Sequence, residues 1–324
     1  MSKATATQLR FYDLEPEANT LYDDVLQGLR QAHKFIPPKY FYDERGSRLF
    51  DTICEADEYY PTRTEIAILE ENLEEICACL GPDCVLVEPG SGSSQKVRLL
   101  LDRLEPHTYM PLDISSDYLK SVAHGLAREY PHINVTAACV DYTAPIELPY
   151  FPEDRRRVAF FPGSSIGNFE PEEAVTFLSN LADLVTSDGG LLIGVDLKKH
   201  HSILNAAYND VQGITAEFNL NLLAHINREL GADFDFDGFE HEAFFNDYKG
   251  RIEMHLVSRR AQQVTVAGHR FQFETGESIH TENSYKYSVD EFHTLAKQAG
   301  FLPLKVWTDP DRLFSVHYFK LAED

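Results

Sequence analysis

The sequence predicts an α/β protein, a parallel sheet covered by helices, with a second lobe of mixed α+β pattern. Three observations predict it. Near-continuous apolar runs alternate with segments of helical period from residue 85 to residue 196, as in βαβ units whose strands are buried on both faces. The first run, Val85-Leu86-Val87-Glu88, passes through Pro89-Gly90-Ser91-Gly92 into a helical segment, and such a strand–turn–helix unit sets a nucleotide-like ligand at a helix N-terminus. The alternation then breaks at residue 197 and returns near residue 287. Residues 197–286 are therefore a candidate substrate-binding insertion.

Composition narrows the partners. At 324 residues the chain exceeds the usual single-core size, in keeping with a core plus an elaboration. A net charge of -23 argues against nucleic acid and against anionic membrane surfaces, both of which call for a basic face. No segment approaches the length of a membrane span, and the first residues lead into no signal-like apolar core. The five cysteines (Cys54, Cys77, Cys79, Cys84, Cys139) form no ligand-spaced cluster with histidine, so reduced thiols in a cytoplasmic protein are expected and no metal is. Adjacent His200 and His201 lack the i, i+4 spacing of a metal pair and read as solvated. The expected partner is a small molecule and the expected state a monomer.

Taken in order, residues 8–33 read as helix, with Leu21, Val25, Leu26 and Leu29 at the helical period. Pro37-Pro38 interrupts it, and the aromatics Tyr40-Phe41-Tyr42 follow in an unusual loop before a short helix from Gly46 to Ala56. Thr62 and Glu65 have capping-box spacing and open an amphipathic helix carrying Ile66, Leu69, Leu73, Ile76 and Leu80. Strand 85–88, helix 94–104, strand 109–113, helix 115–128, strand 133–140, strand 157–161, a helix from Pro171 and strand 191–196 follow. Residues 197–250 read as helical and irregular, 251–257 and 263–273 as a hairpin-like pair, 290–299 as helix ending at Gly300, and 303–307 and 314–320 as closing strands.

The carboxyl ends of the strands should carry the ligand. Gln95 occupies the place of the third glycine of a dinucleotide fingerprint. That disfavours a pyrophosphate and suits S-adenosylmethionine (SAM), whose methionine end needs backbone donors and close approach. Asp113 lies about twenty residues beyond the glycines, where an acid meets ribose hydroxyls. At the next strand end Asp141 can take an adenine amino group and Tyr142 can stack on the ring. Gly163 to Asn168 ends the following strand, beside where the reacting methyl should lie. Any one Asp is more often a helix cap; four polar strand ends in succession favour a cofactor.

Five stretches together resemble a known family: Pro37-Pro38-Lys39-Tyr40-Phe41-Tyr42-Asp43, Tyr59-Tyr60-Pro61-Thr62-Arg63-Thr64-Glu65, Gly90-Ser91-Gly92-Ser93-Ser94-Gln95-Lys96, Gly163-Ser164-Ser165-Ile166-Gly167-Asn168 and Thr281-Glu282-Asn283-Ser284. They are similar to the SAM-dependent histidine Nα-methyltransferases of ergothioneine biosynthesis, and the resemblance runs from about Leu21 to the end. It implies a Rossmann-like class I methyltransferase core (61–196 and 287–324) with a substrate lobe built from the N-terminal segment and the late insertion (1–60 and 197–286), and three methyl transfers that turn L-histidine into hercynine. It assigns the cofactor to Gly90, Lys96, Asp113, Asp141 and Tyr142, the last standing where the family commonly has Phe. It assigns the substrate amine to Tyr59, Gly163 and Asn168, and the carboxylate to Tyr42 and Tyr208. The imidazole falls to Glu282 and Ser284, with Met254 packed on the ring. Asn168, Tyr42 and Tyr59 would thus be the catalytic set, working by positioning. No conspicuous general base is present, so the amine proton is expected to leave to water or through a Tyr hydroxyl. Two other readings compete: methylation of another amino acid such as tryptophan, and SAM binding without catalysis. Glu282 weighs against the first, because an indole cannot repay a buried carboxylate. Intact Tyr42, Tyr59, Asn168 and Tyr208 weigh against the second.

Overall fold

A computed structural model describes residues 9–14, 20–92, 94–145, 152 and 154–322. In chain order the first half carries β1 (Leu9–Asp13), α1 (Thr20–Leu29), β2 (Lys34–Phe35), α2 (Glu44–Glu55), α3 (Tyr60–Glu71), α4 (Leu73–Leu80), β3 (Val85–Pro89), α5 (Gln95–Leu104), β4 (Thr108–Asp113), α6 (Ser116–Glu129) and β5 (Asn134–Cys139). Then come β6 (Arg157–Phe161), α7 (Pro171–Leu184), β7 (Gly190–Asp196), α8 (His201–Ala207), α9 (Ile214–Leu230), β8 (Phe239–Asn246) and β9 (Arg251–Ser258). The chain closes with β10 (Gln262–Val266), β11 (His269–Phe273), β12 (Ser278–Tyr285), α10 (Val289–Gln298), β13 (Phe301–Thr308) and β14 (Phe314–Leu321).

The described residues form two compact units, those lying within 1–16, 61–198 and 287–324 and those lying within 17–60 and 199–286. The first is built on an eight-stranded sheet ordered β1-β5-β4-β3-β6-β7-β14-β13. β1 and β3 to β7 run parallel, while β14 is antiparallel to both β7 and β13. β3 and β7 are buried at every position, which is why they read as unbroken apolar runs. From β3 the chain moves out to β4 and β5, then returns to β6 on the other side of β3. That reversal opens a crevice at the carboxyl ends of β3 and β6, where open α/β sheets bind ligands.

The second unit is a four-stranded sheet ordered β2-β12-β9-β8, with the hairpin β10-β11 as a separate ribbon. Glu282 lies opposite Met254 and Ser284 opposite Ile252, so these four side chains share one face. A β-bulge between His280 and Glu282 shifts the pairing: His280 is opposite His255, and Thr281 is the extra residue. α9 is tied to this sheet through Asn219, which donates to His255 O (3.0 Å) and accepts from Thr281 Oγ1 (2.8 Å).

Five expectations are corrected. The helix expected over 8–33 is a strand, β1, followed by α1; residues 1–8 and 15–19 lie outside the described residues. β1 pairs with β5 in the first sheet, so the stretch 1–60 does not belong wholly to the lobe. Thr62 and Glu65 do not cap a helix: α3 begins at Tyr60, and both side chains are buried within it. The long amphipathic helix is in fact α3 and α4, parted at Asn72, whose Nδ2 donates back to Ile68 O (2.8 Å). The pair 251–257 and 263–273 is not a hairpin, because β9 pairs with β8 and β12 while β10 and β11 pair with each other across Ala267-Gly268. Strands β8 and β12 were not expected at all.

Candidate active site

In the first unit the glycine loop leaves β3 through positive φ at Gly90 (+65°), Gly92 (+49°) and Ser94 (+53°), and Ser93 lies outside the described residues. Gly90 N and Ser91 N donate to Leu112 O at 2.7 and 3.1 Å. Asp113 accepts from Gly92 N (3.1 Å) and Ser115 N (3.0 Å), so the acid at the end of β4 holds the loop of β3. Burial pushes its carboxyl up, against those backbone donors. Glu88 is buried and receives the Tyr109 hydroxyl; burial pushes it up to about 8. Tyr142 lies against Gly90, where a Cβ would sit 2.9 Å from the phenol oxygen. Asp141 accepts from Thr143 N (3.0 Å) and Thr143 Oγ1 (2.5 Å).

These residues fit SAM on two observations. Gly90 has the space only because it lacks a side chain, and Ser91 Oγ is buried with no hydrogen-bond partner among the described residues, a group that needs a ligand or water to satisfy it. Gly90→Ala should therefore weaken SAM binding at least tenfold by calorimetry, since the new methyl both strains the left-handed backbone and strikes Tyr142. Unchanged affinity would remove Gly90 from the site.

Glu65 is the residue sequence reasoning misread. It is fully buried on α3 and pairs with Lys96 Nζ at 2.5 Å. Gly163 N also donates to it, 2.9 Å from Oε2 and 3.1 Å from Oε1. Space for the carboxylate comes from β7, where a Cβ on Gly194 would lie 2.0 Å from Glu65 Oε1. One carboxylate thus links α3, α5, the end of β6 and β7. Gly163 has φ +83° and lies beside Lys96 Nζ. It leads into the 3-10 turn Ser165–Asn168, on which Asn168 is half-buried. Glu65 belonged to one of the five family-like stretches, and that was the available signal.

In the second unit a polar group sits on the face that carries Met254. Glu282, Ser284, Met254 and Tyr208 are all buried. Tyr208 Oη donates to Ser284 Oγ at 2.8 Å. Lys286 Nζ donates to Ser284 Oγ (2.7 Å) and to Tyr208 Oη (3.2 Å). Burial pushes Glu282 up to about 7, opposed by the Lys286 charge. The rings of Tyr59 and Tyr208 are 6.2 Å apart, and Phe50 joins Tyr59 to Tyr42. Burial and then the nearby Tyr208 push the Tyr59 phenol well up, so it stays un-ionised. The structure thus gathers Tyr59, Tyr208, Met254, Glu282 and Ser284 in the second unit with Tyr42 beside them. Gly90, Lys96, Asp113, Asp141, Tyr142, Gly163 and Asn168 line the strand ends of the first. Lys286 was missed, although Glu282-x-Ser284-x-Lys286 has the strand period.

On the opposite face, among the described residues, Glu253, His255 and His280 bring ligand-type atoms within 4.8 Å of one another. The two imidazoles are stacked, with centroids 4.7 Å apart and planes 14° from parallel, so their in-plane lone pairs do not converge on one ion. Their nitrogens are bonded instead to Glu253 Oε2 (3.3 Å), Ser278 Oγ (3.2 Å) and Glu282 O (3.0 Å).

A parallel sheet with a glycine loop at its reversal point, acids at successive strand ends and a last strand antiparallel to both its neighbours defines a class I SAM-dependent methyltransferase. The fold is similar to the crystal structure of a SAM-dependent methyltransferase from Clostridium acetobutylicum, with a TM-score of 0.51 at 12% identity over 86% of this chain and 98% of that one. A family profile described as histidine-specific, SAM-dependent methyltransferase matches residues 21–321, and the chain belongs to that family. It is 42% identical to the histidine N-alpha-methyltransferase of Mycolicibacterium smegmatis, over 94% of this chain and 96% of that protein. It is 29% identical to ergothioneine biosynthesis protein 1 of Neurospora crassa, over 84% of this chain and 32% of that much longer protein.

Proposed function

We propose that this enzyme methylates the α-amine of L-histidine with SAM, three times in succession, to give hercynine for ergothioneine biosynthesis. The observation that carries the reading is the buried Glu282–Ser284–Tyr208 group beside Met254, a polar face suited to an imidazole in a chain that belongs to a histidine-specific family. The first unit is taken as the SAM-binding part and the second as the part that reads the ring. When bound, SAM supplies an electrophilic methyl on a sulfonium.

The chain's own residues do the rest. Gly90, Lys96, Asp113, Asp141 and Tyr142 are assigned to holding the cofactor. Tyr59, Gly163 and Asn168 are assigned to the amine, Tyr42 and Tyr208 to the carboxylate, Glu282 and Ser284 to the imidazole, with Met254 on the ring. Orientation of a neutral amine lone pair is worth several orders of magnitude in rate. An un-ionised Tyr59 phenol can accept a hydrogen bond but not a net proton, so the amine's proton is assigned to water. No helix among the described residues is long and apolar enough to cross a membrane; a cytoplasmic monomer is the working assignment.

Mass spectrometry of the purified protein with SAM and L-histidine tests the reading. The expected products are the mono-, di- and trimethylated amino acid, ending in hercynine. Methylation of tryptophan but not histidine, or of neither, would overturn it.

A further inference from the structure

Lys286 follows Ser284 on β12's alternation, and its backbone N donates to Gly250 O (3.0 Å). At 2% exposure it is nearly sealed from water, an uncommon setting for an ammonium. Its Nζ lies 2.7 Å from Ser284 Oγ and 3.2 Å from Tyr208 Oη. It also sits 5.0 Å from the centroid of the Tyr208 ring. An ammonium has three donors and no acceptor. Each hydroxyl oxygen must therefore turn a lone pair toward Lys286 and its proton away. Tyr208 rests its proton on Ser284 Oγ at 2.8 Å. Ser284 then accepts twice, which fills both lone pairs, and its own proton is left to donate outward. Glu282, on the same face, can only accept when ionised.

We propose that Lys286 is a positioning residue that fixes the direction of these hydroxyl protons, so that the site takes the substrate ring as neutral imidazole. One ring N–H is given to Glu282, and the bare nitrogen accepts from Ser284. The proposal rests on the reading that Glu282 and Ser284 face the imidazole. This polarity needs the Tyr208 proton on Ser284, so of the two tyrosines assigned to the substrate carboxylate Tyr42 gives the hydrogen bond while Tyr208 gives its proton to Ser284. A ring with no bare nitrogen leaves the Ser284 hydroxyl unmet, and an imidazolium sets donor against donor. Both are rejected by the cost of unpaired buried polar groups.

The test compares L-histidine with β-(pyrrol-2-yl)-L-alanine and β-(pyrrol-3-yl)-L-alanine, which keep an N–H at one ring position or the other and lack a bare nitrogen. In the wild-type enzyme kcat/KM should favour histidine over the better pyrrolyl substrate by roughly 10³-fold or more. In Lys286→Met, whose stem keeps the packing, Ser284 regains rotation, and the preference should shrink at least tenfold while SAM affinity by calorimetry is retained. An unchanged preference in a SAM-binding Lys286→Met protein overturns the proposal. A wild-type enzyme that methylates histidine and the pyrrolyl substrates alike overturns the underlying assignment of Glu282 and Ser284 to the ring. A measurement on the wild type needs no variant: ring-¹⁵N histidine bound to the enzyme should show one protonated and one bare nitrogen. Two protonated nitrogens would refute the role of Lys286 and leave the ring contact standing.

Discussion

Glu282→Ala should lower kcat/KM for L-histidine by about 10²- to 10³-fold, the loss of a charge-assisted bond worth about 1.5–3 kcal/mol plus the cost of stranding a buried cation. SAM affinity should stay nearly constant, because Glu282 and Lys286, whose charge acts on it, both belong to the second unit. Equal loss of histidine turnover and SAM binding would mean that Glu282 is structural. The pH dependence gives a second readout. Burial raises the Glu282 carboxyl to about 7, so its ionised, accepting form is present above that pH and is lost as the pH falls through it. The kcat/KM for histidine should therefore decline below about pH 7 in the wild type. Glu282→Gln should lose that limb and keep only the titrations of the substrate itself. A limb unmoved by Glu282→Gln would assign it to another group.

Gly194→Ala should be nearly as damaging, though position 194 carries no chemistry of its own. Its Cβ would fall 2.0 Å from Glu65 Oε1, so the buried carboxylate must leave its place. Lys96 Nζ and Gly163 N then lose their acceptor together. Breaking a buried ion pair from one side costs about 3–5 kcal/mol, and a fall in Tm on the order of 10 °C follows at about 2–4 °C per kcal/mol. SAM affinity should weaken at least tenfold in Gly194→Ala and in Glu65→Gln alike. A lower Tm with SAM affinity intact would make Glu65 a structural anchor only.

The sheet of the first unit was legible because parallel strands covered on both faces must be apolar along their length. β3, β6 and β7 could not have read as anything else. The glycine loop and the acids after β4 and β5 were legible because strand–turn–helix geometry restricts what can follow a buried strand. The second unit was harder to read. β12 is Ser-Ile-His-Thr-Glu-Asn-Ser-Tyr, polar enough to pass for a loop, since its inward face satisfies polar groups with one another rather than with hydrocarbon. β8 mixes charged and aromatic residues with one face partly exposed, so the two-residue period is blurred. Glu65 obeyed a local capping rule that tertiary structure overrode, and its partners lie 31 and 98 residues away along the chain. β1 failed for a similar reason: short and half-buried, it is a strand by virtue of the free edge of β5.

The bulge at Thr281 makes the length of β12 decide which of its side chains share a face with Met254. In a regular strand His280 and Glu282 would lie on one side of the sheet; the extra residue puts them on opposite sides. Side-chain direction in a strand is a matter of odd and even. Losing one residue from the bulge would turn His280 toward the face of Met254 or drive Glu282 away from it. Substitutions along β12 can thus be absorbed one at a time, whereas a single-codon insertion or deletion would rewrite the whole face that carries Glu282 and Met254. Lineages that keep histidine as substrate should accordingly vary in the letters of this strand and not in its count.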